Sequence, residues 1–163
     1  MEPRWITHAR RLIGIRQIVG PRHESRIVRM WETIRAPFRD DETAWCAAFV
    51  GSVLEEVGVK STRSAAARSY AQWGVACAQR LGAVVVFSRP PSTWSGHVGF
   101  LVGRDPKGRL LVLGGNQGDA VNIAPFDTAR VLAYRWPLNE PFPADVVDLP
   151  IITTSARSST NEV

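Results

Sequence analysis

Cys46 stands where an acidic stretch gives way to an apolar run, within residues 40–50 (DDETAWCAAFV). The apolar residues that follow recur at three- and four-residue intervals, which predicts a helix with Cys46 in or just after its first turn. Free N–H groups and partial positive charge at a helix N-terminus favour a thiolate. Cys46 is therefore either a nucleophile or a small core residue, whereas Cys77 has no acid or histidine near it in the sequence and is predicted to be packing.

A thiolate nucleophile needs a base, and the chain has three histidines. His8 and His23 stand among arginines and are predicted to be structural. His97 lies in residues 96–100 (GHVGF), at the predicted start of a strand and between glycines. Glycines beside a polar strand residue allow a substrate to come close, so His97 is the candidate base.

The base also needs a group that orients its ring. Residues 105–108 (DPKG) predict a tight turn that pairs the strands on either side. A turn centred between Pro106 and Lys107 puts His97 opposite Asn116. A bulge at the glycine that ends the turn brings Gln117 opposite instead. We predict Asn116 as the orienting residue, with Gln117 second.

The elements that must position these residues form an α+β pattern. Helical periodicity covers residues 4–19, 24–34 and a third stretch that ends at Gly58, where Asp41 or Thr43 is expected to cap the start. A short helical or irregular piece follows over residues 65–73. Five short segments then read as antiparallel strands: 82–87, 98–102, 110–113, 121–123 and 131–136.

Length and charge limit the possible functions. A chain of 163 residues suits one domain with its own core, and the net charge of +5 is compatible with nucleic acid, anionic lipid or bacterial cell wall as partner. No nucleic-acid-binding signature is present, and no apolar run reaches membrane-spanning length. The first five residues (MEPRW) lack the layout of a signal peptide, so we expect synthesis in the cytoplasm.

Four sequence blocks in a fixed order resemble the NlpC/P60 and CHAP cysteine peptidoglycan hydrolases: DDETAWCAAFV, GAVVVFSR, GHVGFLVG and VLGGNQGDAVNI. The similarity is greatest to the small phage-associated branch with WC, GHVGF and GGNQ blocks, and it runs from about residue 5 to residue 136. The resemblance implies a papain-like fold, with helices packed on a small antiparallel sheet. It also implies that Cys46 attacks an amide of peptidoglycan, with His97 as base and Asn116 holding the imidazole.

The resemblance sets further expectations. We expect a catalytic domain over residues 1–137, a flexible tail rich in Pro, Ser and Thr over 138–163, and a monomer without a cofactor. An endolysin-like role at the cell wall or in the periplasm is expected, after phage-type release or specialised secretion. Many CHAP enzymes carry a glutamine shortly before the cysteine and an acid shortly before the asparagine, and this chain has neither. The N–H of Cys46 is therefore the one oxyanion donor that we assign.

Aromatic and polar side chains near the predicted nucleophile are candidates for substrate contact: Trp45, Tyr70, Trp94 and Gln117. Trp94 follows a Pro-Pro-Ser-Thr loop beside His97, which favours a functional role for it. The acids at 40–42 are compatible with calcium, but helix capping explains them better and we predict no metal site.

Three hypotheses about the function remain open from the sequence. The first is a peptidoglycan hydrolase, acting as an endopeptidase or as an N-acetylmuramoyl-L-alanine amidase. The second keeps the thiol chemistry in a papain-like acyltransferase or protein deamidase. The third is a basic cell-wall or nucleic-acid binding module without catalysis, which leaves the joint placement of Cys46, His97 and Asn116 unexplained.

Overall fold

Helices precede strands along the chain, as the sequence predicts for an α+β protein. The computed structural model describes residues 2–143 and 149–153. Its helices are α1 (Arg4–Arg10), α2 (Ser25–Thr33) and α3 (Cys46–Glu56), with 3₁₀ helices at Ala67–Gln72 and Thr128–Arg130. Its strands are β1 (Val75–Ala76), β2 (Val84–Arg89), β3 (Ser92–Arg104), β4 (Leu110–Gly114), β5 (Asn122–Phe126) and β6 (Val131–Trp136).

The strands form one antiparallel sheet in the order β1-β6-β2-β3-β4-β5. Successive side chains of a strand point to opposite faces, so each strand contributes side chains to two cores. One face, which we call the helix face, carries Val98 and Phe100 and packs on α3; the ring of Phe100 lies 6.1 Å from that of Phe49. The other, the inner face, carries Phe87 and Leu101.

The sheet curls strongly around its inner face. Phe87 on β2 and Phe126 on β5 stack with ring centroids 4.7 Å apart, although β3 and β4 lie between their strands. Strands are spaced about 4.8 Å apart, so a flat sheet would separate β2 from β5 by about 14 Å. The curl therefore encloses a second apolar core, separate from the core beneath α3.

The first helix is shorter than predicted. α1 ends at Arg10, whereas the periodicity extends to residue 19. Gly14 adopts a φ of +103°, and its N–H donates to the carbonyl of Val121 at 3.0 Å. The chain leaves the helix because residues 14–17 pair with the segment after β4, and the apolar side chain of Ile15 is buried there without helical geometry.

The predicted caps of α3 are also wrong. Trp45 occupies the N-cap position and gives no side-chain cap. Asp41 is buried and accepts hydrogen bonds from the N–H groups of Ile18 at 2.8 Å and Glu24 at 2.9 Å, and from Nδ1 of His23 at 3.0 Å. The carboxylate of Asp41 thus connects the segment after α1 and the start of α2 to the loop that precedes α3.

Part of the predicted tail contacts the folded domain. Glu140 forms an ion pair with Arg4 at 2.7 Å, and the N–H of Ile152 donates to the carbonyl of Arg104 at 2.8 Å. Residues 144–148 and 154–163, on which the rest of that prediction falls, lie outside the described residues. Within the described part of the chain, none of the helices combines the length and the apolar character needed to cross a membrane.

We predict that Asp41→Ala lowers the free energy of unfolding by about 2–4 kcal/mol at pH 7, because buried N–H groups lose a charged acceptor. Burial raises the pKa of Asp41, but the N–H groups of Glu24 and Ile18 and the ring of His23 outweigh it, so this pKa lies below its usual range. The carboxylate therefore stabilises the fold above about pH 4, and this contribution is lost as the pH falls through the lowered pKa.

Urea unfolding of the wild type and the variant at several pH values measures this difference. Glu42→Ala is the matched control, since Glu42 is the exposed neighbouring acid and its loss should change stability by less than about 0.5 kcal/mol. Equal losses for the two variants would contradict the role assigned to Asp41.

Candidate active site

Cys46 is the first residue of α3, and only 4% of it is exposed. Burial raises the pKa of its thiol above the ordinary value. The nearby backbone N–H groups of Val98, Ala47 and Cys46 itself act in the opposite direction and lower this pKa, and the charge of Arg89 adds to their effect. The thiol is therefore protonated in the free protein at neutral pH, but donors that favour a thiolate already surround it.

A cleft of about 510 Å³ opens beside Cys46. It is bounded by the start of α3, the segment before the first 3₁₀ helix and the turn between β2 and β3. Arg68 fixes this turn by donating to the carbonyls of Ser95 at 2.7 Å and Ser92 at 3.3 Å. The lining residues are Ala44, Cys46, Ala65, Ala66, Ala67, Arg89, Pro90, Pro91, Ser92, Trp94, Ser95 and Gly96.

Gln117 determines which nitrogen of His97 carries the proton. Its amide nitrogen donates to the carbonyls of Val112 at 3.2 Å and Asn122 at 2.9 Å, and to Oδ1 of Asn122 at 2.9 Å. The amide oxygen therefore faces His97 and accepts from Nε2–H at 3.0 Å. Nδ1 of His97 is left with a lone pair, and it has no hydrogen-bond partner among the described residues.

The imidazole of His97 lies on the inner face of the sheet, away from α3. It stacks on Phe126 with ring centroids 5.2 Å apart and planes 9° from parallel, and it lies 6.4 Å from the ring of Phe87, its cross-strand neighbour. The next residue, Val98, faces α3. No hydrogen bond joins Nδ1 of His97 to Cys46 or to any other described residue.

Burial lowers the pKa of His97 to about 4. The hydrogen bond to Gln117 acts against this shift, and the charges of Arg130 and Arg89 reinforce it. The ring is consequently neutral at physiological pH, with an unprotonated Nδ1. This is the protonation state required of a general base, although the low pKa disfavours the protonated form that follows proton transfer.

The orienting contact comes from Gln117 and not from Asn116, which corrects our prediction. Phe100 pairs with Leu113, so the predicted alignment holds next to the site, but β4 ends at Gly114. Asn116 turns out of the strand with a φ of +59°, and both polar atoms of its buried side chain have no hydrogen-bond partner among the described residues. Gln117 folds back over Gly114, where a Cβ would lie 2.2 Å from its amide oxygen.

The predicted substrate contacts separate into exposed and buried residues. Trp94 is 81% exposed and lines the cleft. Trp45 and Tyr70 are fully buried, with Trp45 donating to Oε1 of Gln17 at 3.2 Å and Tyr70 packed against Trp73. Gln117 is also buried and is saturated by its own contacts, so these three residues do not reach the cleft surface.

The remaining chemical groups have structural contacts. His8 pairs with Glu56 and His23 with Asp41, while Cys77 is a free, partly buried cysteine packed against both cores. Asp40 accepts from the N–H groups of Glu42 and Thr43 and so closes the loop before α3. Within residues 2–143 and 149–153 there is no group of three or more metal-ligating side chains.

Residues 38–116 match the family model of the CHAP domain, and this stretch includes both Cys46 and His97. Residues 38–116 therefore resemble a CHAP domain. CHAP domains are generally amidase or peptidase hydrolases, and the family is associated with peptidoglycan. No curated protein and no solved structure matches the chain. The match supports the resemblance seen in the sequence and ends one residue before Gln117.

We predict that His97 stays neutral from pH 5 to 8 with its proton on Nε2, which ¹⁵N-edited NMR of the histidine rings measures. His23 is an internal control, because its hydrogen bond to Asp41 raises its pKa above the ordinary value. Folding lowers the pKa of His97, so its contribution to stability is complete above about pH 6.5 and decreases by about 3 kcal/mol towards pH 4.

Gln117→Ala should remove the fixed tautomer of His97, whereas Asn116→Ala should leave it unchanged because Asn116 does not contact the ring. A ring that becomes protonated near pH 6.5 in the wild type would contradict the burial described here.

Proposed function

We propose that this protein is a cysteine hydrolase that cleaves amide bonds in bacterial peptidoglycan, as an endopeptidase or as an N-acetylmuramoyl-L-alanine amidase. The observation that carries the proposal is the position of Cys46 within the CHAP match: its thiol lies at the first turn of α3, on the wall of an open cleft and among backbone N–H donors. A helix start is a favourable site for a cysteine nucleophile.

In the proposed reaction the sulfur of Cys46 attacks the carbonyl carbon of the scissile amide. The carbonyl oxygen takes up negative charge, and the N–H of Cys46 stabilises it, with the N–H of Val98 as a second donor. The C–N bond then breaks, the leaving amine takes a proton, and the acyl group stays on sulfur. Attack by water on this thioester releases the acid and restores the thiol.

His97 is the proposed proton carrier between the thiol and the leaving amine. Its unprotonated Nδ1 has the required lone pair and has no hydrogen-bond partner among the described residues. Proton transfer needs this nitrogen to come within hydrogen-bond distance of the sulfur. Gly96 and Gly99 lie on either side of His97 and give the backbone freedom for such an adjustment.

A second candidate function follows because, among the described residues, no hydrogen bond joins Nδ1 of His97 to the thiol. If the ring never reaches the thiol, the domain binds cell wall through its cleft and basic surface without cleaving it. Purified sacculi distinguish the two candidates, because hydrolysis releases muropeptides that mass spectrometry identifies together with the bond cut. We place the action of the protein, as a monomer, at the cell wall after phage-type release or specialised secretion.

We predict that Cys46→Ser lowers the release of muropeptides by at least about 10³-fold with the fold intact, because a serine hydroxyl in the same place is a far weaker nucleophile. Cys77→Ser is the matched control and should retain activity, since Cys77 does not line the cleft. Iodoacetamide labelling followed by peptide mapping checks which thiol reacts; inactivation through Cys77 would refute the assignment of the nucleophile.

We predict that His97→Ala lowers the turnover by about 10²–10⁴-fold, the usual range for a general acid–base residue. The rate profile of the wild type should show an acid limb and a basic limb whose apparent pKa values belong to the thiol and imidazole together. Binding of sacculi that survives in Cys46→Ser, combined with no release of muropeptides by the wild type, would instead establish the binding module.

A further inference from the structure

Arg89 is the charged residue of the cleft. It is the last residue of β2, at the point where the pairing with β3 shifts: Ser88 pairs with Gly96, but Arg89 pairs with Ser92. Irregular pairing of this kind redirects side chains and is common beside active sites. Arg89 lines the cleft together with Cys46, and its charge acts on that thiol.

The guanidinium of Arg89 lacks an anionic partner. It is partly buried, and it forms no hydrogen bond or ion pair with the described residues. Several arginines elsewhere in the chain do form ion pairs, as Arg4 does with Glu140 and Arg63 with Glu55. A partly desolvated cation without a counter-charge is costly, and an anionic ligand offsets that cost.

The rest of the cleft wall is neutral. The other described residues that line it are alanines, prolines, serines, a glycine, Cys46 and Trp94. Arg68 lies behind this wall, but its guanidinium is already engaged by the carbonyls of Ser92 and Ser95. A ligand in the cleft therefore meets one positive charge next to the thiol, and no negative charge among the residues that line the wall.

We propose that Arg89 determines the specificity of the cleft by binding a carboxylate of the substrate close to the scissile amide. The proposal rests on the proposed function and adds to it a chemical requirement: the stem peptide must carry a free carboxylate, and not a carboxamide, at the position that Arg89 meets. The planar guanidinium fork matches a carboxylate with two parallel hydrogen bonds, whereas a carboxamide presents a single acceptor and no charge.

The test uses synthetic N-acetylmuramoyl stem peptides in which each carboxylate in turn is replaced by a carboxamide. For the wild type, one replacement should raise KM by about 10- to 100-fold, the usual range for loss of a charge-assisted contact. Arg89→Gln should raise KM for the acid form by a similar factor and remove the discrimination between the two forms. Arg89→Lys should keep the preference in a weaker form.

Arg22→Gln is the matched control, because Arg22 is exposed and lies outside the cleft. It should leave both KM and the acid-to-amide ratio unchanged. If Arg89 only activated the thiol, Arg89→Gln would lower kcat for acid and amide forms equally and leave the ratio of the wild type intact. That result would overturn the proposal while the hydrolase assignment stands.

Binding of the same peptides to Cys46→Ser, measured by calorimetry, separates recognition from cleavage. A preference for one acid form that disappears when Arg89→Gln is added supports the proposal, even if the wild type cleaves no peptide and the hydrolase assignment fails. Equal affinity of Cys46→Ser for every acid and amide pair overturns it.

Discussion

The burial of α3 is the constraint on which the rest of the structure depends. Every residue from Cys46 to Leu54 is buried, because the helix packs on the sheet and is covered by α1 and α2. A helix that is apolar on all sides has no freedom to rotate without exposing part of this surface. Its first residue is thereby fixed where α3 packs against β3.

His97 and its neighbour Val98 point to opposite faces of β3. Val98 packs against α3, and the imidazole of His97 lies in the core that the curled sheet encloses. Strand alternation requires this arrangement, since neighbouring residues of a strand point apart. The tautomer of His97 is nevertheless the one that a base needs, because Gln117 is held by its own donors and offers only its oxygen.

The sequence was informative where hydrophobic periodicity decides the structure. It predicted α2, α3 and the succession of the long strands, because apolar periods of 3.6 and 2 select the faces that are buried. It failed where a long-range contact competes with local pattern. The helical pattern after Arg10 is overridden because this segment pairs with residues near Val121. The carboxylate of Asp41 accepts hydrogen bonds from N–H groups distant in the sequence and does not cap α3.

The candidate site shows the same limits. Cys46 and His97 stood out by residue type and context. The predicted alignment of β3 with β4 is off by one residue next to the turn and holds near the site only because a shift between Leu101 and Gly103 compensates for it. That Gln117 and not Asn116 orients His97 could not be predicted, since it depends on where β4 ends. The paired glycines at 114 and 115 were the available signal, because a close approach of another side chain requires them.

Mutations of Gly114 and of Gln117 consequently affect the same contact. The amide of Gln117 occupies the space that any side chain at position 114 would need, so Gly114→Ala and Gln117→Ala disturb the same contact with His97. Their effects on the ring cannot add, and a double-mutant cycle between them would show strong coupling. Homologues of this chain that carry a larger residue at the position of Gly114 must hold their histidine with something other than a glutamine at 117.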